Sequence, residues 1–152
     1  MTFSTLTLIL PAAVMLHVTE EFLFPGGFIE WYQEWFPSKE KGIRPGYLVW
    51  INTLMMAACV VPVALGATEH GYSVWYVVVA IAGANAVFHV VGVFSLKKYS
   101  PGVVTGVLLY LPLFFYGSWY LLSTGNISWI RFAIILAVAV GYHIFSVIRQ
   151  KQ

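Results

Sequence analysis

The sequence predicts an all-α polytopic membrane protein, and three observations predict it. Hydrophobic residues make up 60% of the 152-residue chain and charged residues 9%, against about 25% charged in soluble domains. Five apolar segments are each long enough to cross a bilayer, which takes about 20 residues of helix. Most of the charged residues gather between those segments. The whole chain, 1–152, reads as one transmembrane helical domain.

The spans are taken at roughly 4–24, 47–66, 72–95, 102–122 and 128–148. Met1 to Leu10 carries no Lys or Arg. It therefore lacks the basic start of a secretory signal, and the first segment is expected to be retained. Between the first two spans, Phe28, Ile29, Trp31, Tyr32, Trp35 and Phe36 repeat at i, i+3, i+4, i+7 and i+8. That is the pattern of an amphipathic helix. Its aromatic residues suit the membrane interface. It reads either as a helix lying on the bilayer or as a lid over a site at that end of the bundle. Gly66 and Gly71 bracket the second joint. Ser100 and Pro101 read as N-cap and first residue of the fourth span. Thr124-Gly125-Asn126 marks the fourth joint. Pro11, Pro62 and Pro112 lie inside spans, where neighbouring helices can satisfy the freed carbonyls. No internal repeat is visible. The lone Cys59 sits in an apolar stretch and reads as a small buried residue.

Charge placement gives an orientation. Lys39, Lys41, Arg44, Lys97, Lys98, Arg149 and Lys151 fall on one side of a five-span bundle, and only Arg131 lies towards the other. Basic loops stay in the cytoplasm. The N-terminus is thus expected outside and the C-terminus inside, in a plasma or inner membrane. The small net charge of +2 gives no reason to expect a nucleic-acid partner.

Against this apolar background, His17-Val18-Thr19-Glu20-Glu21 stands out. Ionisable residues within a span are costly and mark functional sites. His17 lies seven residues from the cytoplasmic end of its span, about 10 Å. Asn52, His89, Thr105 and His143 lie at similar depth in the other four spans, and Asn85 is one turn deeper than His89. His17 shares a helix face with Glu20 or Glu21, and Asn85 with His89. His70 falls in the external joint and reads as a solvated residue.

Three imidazoles and a carboxylate at one level suit a divalent metal, with Zn²⁺ favoured. His17, His89 and His143 are the expected ligands. One of Glu20 and Glu21 completes the shell, with Glu21 preferred, and the other acts as general base. Asn85 and Asn52, with Trp31 and Trp35 at the opening, are the expected substrate contacts. A di-iron centre would need more carboxylates. Haem ligation by His89 and His143 would leave the glutamates unexplained. A purely structural polar network is the plain alternative.

The pattern His17-x-x-Glu20-Glu21 resembles that of the HXXEE family of small membrane proteins. So do Phe22-Leu23-Phe24-Pro25-Gly26, Asn85-Ala86-Val87-Phe88-His89 and Tyr99-Ser100-Pro101-Gly102. The resemblance supports the choice of residues and implies no reaction. Glu20-Glu21-Phe22-Leu23-Phe24 is also similar to the acidic segment of small membrane-embedded lycopene cyclases. That family places a proline before the glutamates, where this chain has Val18 or Thr19.

The function expected from the residues is metal-dependent hydrolysis of a lipid-like or amphiphilic substrate at the cytoplasmic leaflet. Two alternatives come from other classes. One is metal-free acid–base isomerisation or cyclisation of an isoprenoid, on a proton held by a carboxylate pair. The other is a non-enzymatic carrier or membrane-complex partner. Gly102-x-x-x-Gly106 suits either a homo-oligomer contact or close packing within one bundle.

Overall fold

The computed structural model describes residues 1–37 and 45–149. Among these it is all helical. Five helices are long and apolar enough to cross a membrane: α1 (Phe3–Phe22), α3 (Pro45–Leu65), α4 (Glu69–Leu96), α5 (Val103–Ser123) and α6 (Trp129–Arg149). A short helix, α2 (Phe28–Trp35), joins α1 to the segment before α3. The spans match those read from the sequence to within about one turn. Lys39, Lys41, Arg44 and Lys151, on which the orientation partly rests, lie outside the described residues.

Local chemistry sets the ends. The Thr2 hydroxyl accepts the Thr5 N–H at 3.3 Å and starts α1. The Thr68 hydroxyl accepts the Gly71 N–H at 3.1 Å and starts α4, so His70 sits exposed in the first turn of that helix and not in a joint. Such caps satisfy backbone donors that have no partner within the helix. Ser100 does not cap α5. Gly102 occupies that position with φ +100°, and Ser100 is drawn inward to another partner.

Pro11 and Pro62 ride within continuous helices. Pro112 acts differently. Just before it, Gly106–Tyr110 forms a π turn, with the Leu111 N–H reaching back five residues to the Gly106 carbonyl. A proline ring clashes with the carbonyl four residues earlier, and a π turn is one way for a helix to make room for it. The turn sets Tyr110 against the His17 ring, centroids 4.4 Å apart.

α4 is the central rod, and every other helix packs against it. Its contact faces are small where helices come close. Gly83 leaves room for the Phe114 ring, and Ala86 faces Gly106. Lipid is as apolar as a leucine side chain, so such close packing, more than escape from water, holds the rods together. The apolar core gathers Leu6, Leu10, Trp75, Tyr76, Val79 and Leu121. A Cβ on Gly102 would come within 2.8 Å of His17 Cε1 and 2.9 Å of His89 Cε1. The Gly102-x-x-x-Gly106 pair therefore packs inside the bundle, not against an outer neighbour.

Candidate metal centre

His17 and Glu21 are one turn apart on α1, and both are buried. His89 comes from α4 and is fully buried. Glu21 Oε1 lies 3.4 Å from His17 Nε2 and 3.1 Å from His89 Nε2. One ligand atom from each residue falls within 4.8 Å of the others. Neither Nε2 is aligned for a hydrogen bond, despite those short distances. An ion about 2.0–2.1 Å from each ligand at tetrahedral angles would set neighbouring ligand atoms about 3.3 Å apart, each lone pair aimed at the ion instead of its neighbour.

The other ring nitrogens fix the imidazoles. His17 Nδ1 lies 2.8 Å from Thr105 Oγ1. That hydroxyl has one proton, and it goes to Glu20 Oε2. His17 Nδ1 must then donate, and in a neutral imidazole this leaves Nε2 as a lone pair facing Glu21. A proton or a metal ion between the two would satisfy both atoms. His89 Nδ1 pairs with Ser100 Oγ at 2.9 Å. A ligand histidine held through its second nitrogen in this way is the usual arrangement around a bound metal.

Glu20 does another job. It accepts from the Val104 N–H at 3.0 Å, the Thr105 N–H at 2.7 Å, the Tyr99 hydroxyl at 2.6 Å and the Thr105 hydroxyl. The first two are the open donors at the start of α5, where Gly102 has no side chain to offer. Glu20 is thus a helix cap supplied by a different helix, at the end where a negative charge is favoured. Burial and the Glu20 carboxylate push the Tyr99 phenol well above its ordinary pKa, so it remains a donor.

α2 closes the end of the cluster. Trp31 stacks on His89 at 5.7 Å and 24°, and Phe28 sits 5.8 Å from the same ring. A Cβ on Gly92 would overlap the Trp31 ring, so this glycine lets α2 seat on α4. α2 therefore lies over the cluster, the position expected of a lid. Tyr32 is buried beneath it and donates to the Val147 carbonyl at 3.2 Å. Burial pushes its phenol up to about 12.

Beside the cluster lies a cavity of about 270 Å³, near the lower end of small-molecule pockets at ~300–1,000 Å³. His17 and Glu21 form part of its wall, and Asn52, Asn85 and His143 form another part. His143, expected as a ligand, is not among the three converging groups. Its ring stands 5.5 Å from Phe88, on the cavity wall. Trp31 and Trp35 do not line the cavity. Trp31 covers His89, and Trp35 stacks on Phe36 and Phe88.

Thr105 was picked out by depth alone. Tyr99, Ser100, Gly102 and Tyr110 were given no part in the site by sequence reasoning. The signal for three of them was present in the block Tyr99-Ser100-Pro101-Gly102, without a role attached.

A family described as proteins of unknown function with an HXXEE motif matches residues 8–117. The chain belongs to the HXXEE family. A search of curated proteins gave no match, and neither did a search of solved structures. All three letters of the motif have distinct positions here. The histidine and the second glutamate face the centre, and the first glutamate caps α5 while holding Thr105 against the histidine.

Proposed function

We propose that this HXXEE protein is an intramembrane metal-dependent enzyme, with Zn²⁺ as its ion, that hydrolyses a lipid-like or amphiphilic substrate. The observation that carries the reading is the convergence of His17, Glu21 and His89 on one point at the edge of a cavity. Three protein ligands leave a coordination position for water. A bound divalent ion lowers the pKa of that water to near 7 and polarises a carbonyl oxygen. Held by His17, Glu21 and His89, the ion would supply the acidified water for ester hydrolysis, in which water adds across the carbonyl–oxygen bond to give an acid and an alcohol. Glu20 is not the base in this reading, because four donors already engage it. Metal-free chemistry on a proton shared by two carboxylates has less support, since Glu20 and Glu21 are bonded to different partners.

The site is assigned to the cytoplasmic leaflet, with the N-terminus outside. The support is the seven-to-one placement of basic residues. Lys97 and Lys98 follow α4 at the end that holds the site, and Lys98 pairs with Glu34 of α2.

Elemental analysis of the detergent-purified protein tests the reading. About one divalent ion per chain is expected, lost in His89→Ala and in Glu21→Gln, with release of fatty acid from neutral lipid esters abolished by chelator. Metal-free protein, or a His89→Ala variant that keeps both ion and activity, would overturn it.

A further inference from the structure

The cavity carries two polar atoms that the centre does not use. Asn85 Oδ1 and His143 Nε2 are both buried, both belong to residues lining the cavity, and neither has a hydrogen-bond partner. Buried polar atoms are nearly always paired, so two orphans lining one cavity point to something that completes them. We infer that the cavity receives an uncharged, single-chain amphiphile bearing a hydroxyl, which bonds Asn85 and His143 while its chain runs out between α3 and α6. The inference rests on the proposed enzyme for its context and names that enzyme's substrate class.

A hydroxyl suits the two atoms because it both donates and accepts. The Asn85 carboxamide oxygen takes its proton, and its lone pair accepts from the imidazole. An anionic head group fits poorly. The Asn85 oxygen and the Glu21 carboxylate both face the cavity, and no Lys or Arg is among the described residues that line it. Asn85 is four residues from His89 on α4, about 6 Å along the helix axis. That spacing sets the hydroxyl a few bonds from a group held at the metal centre.

Much of the remaining wall is apolar, with Ile51 and Met55 from α3 and Ile81 from α4. α3 and α6 each pack firmly on α4 and scarcely on each other among the described residues. The slot between them holds the cavity. Tyr142 lines it from α6 and is 45% exposed, so the slot is open at this residue. Nearer the α2 end, Tyr47 of α3 and Ser146 of α6 meet at 3.3 Å and bridge it.

The test is equilibrium binding to the full-length protein in nanodiscs. Tritiated 1-O-dodecylglycerol is compared with its di-O-methyl ether, which cannot donate, and with dodecyl phosphate, which is charged. Saturable binding of the glycerol ether at one per chain is expected, with both comparison probes at least tenfold weaker. Asn85→Leu and His143→Phe should each weaken it about tenfold, and leave binding of the dimethyl ether and the metal content unchanged. Dimethyl ether binding within twofold of the parent, tighter binding of the phosphate, or no saturable binding would overturn the inference. The probe comparison on the unaltered protein decides the matter even where a variant misfolds. Elemental analysis of the same untreated protein separates the two readings. Saturable binding to a protein without metal keeps the cavity assignment and removes the metal, and metal without saturable binding does the reverse.

Discussion

α1 and α4 bury 44% of their membrane-length windows within the protein, whereas α3 and α6 bury 17% and 11%. Apolarity does not foretell this division. α4 is about as hydrophobic as α3 and α6, and α1 is less so. The inner pair is distinguished by the polar groups it carries. His17, Glu21 and His89 cannot face hydrocarbon, so the helices that bear them are turned inward and ringed by the others. The outer pair contributes half-buried polar residues, Asn52 and His143, to the cavity and leaves its remaining surface to lipid. The buried charge-bearing side chains thus mark the inner pair, whereas Asn52 and His143 on the outer pair are only half-buried.

Substitutions can break that contrast. The largest effect is expected at the inner pair. Glu21→Gln or His89→Ala should reduce bound metal from about one ion per chain to less than a tenth, measured by elemental analysis. Asn52→Leu on the outer α3 should leave the ion in place. Equal metal loss in both sets would erase the distinction.

The next effect is expected one bond further out. Thr105→Val removes the group that fixes the His17 tautomer and half of the link to Glu20. Loss of such an outer partner typically costs 10–100-fold in metal affinity. Competition with a chromophoric chelator would read it, and an unchanged affinity would show that the His17 tautomer is set by something else.

Gly102→Ala should follow. The alanine must adopt φ near +100° and press its Cβ on both imidazoles. Left-handed backbone alone costs an L-residue roughly 1–2 kcal/mol. Unfolding in mixed detergent should register at least that loss, together with weaker metal binding. Gly106→Ala meets only Ala86 closely and should be milder.

The smallest effect belongs to the surface. Lys98 and Glu34 are 60% and 48% exposed at the side chain. Lys98→Ala should shift stability by less than about 1 kcal/mol and leave metal content alone. A larger change would mean that this pair, beyond the seating of Trp31 at Gly92, anchors the lid.

Much of the site was legible because membrane sequences advertise their exceptions. His17, Glu21 and His89 could be found by composition, depth and the i, i+4 rule. Two assignments needed coordinates. Glu20 and Glu21 are adjacent, so they project about 100° apart around α1, and only the neighbours decide which faces His89 and which reaches α5. His143 has the right depth but lies on an outer helix, and depth carries no information about rotation. Ser100 was legible as a cap by local rules, yet the buried Nδ1 of His89 took its hydroxyl.

The sequence by itself determined the number of spans, their length and the presence of ionisable groups within them, since these follow from the cost of exposing backbone and charge to hydrocarbon. It also determined which residue types were available for a site. Only the tertiary structure decided which helices are central, which glutamate meets the histidines and where the cavity opens. Those depend on how each rod is rotated about its axis, and rotation is set by packing among all the rods together: at Gly92 under Trp31, at Gly102 against two imidazoles, and at the π turn before Pro112.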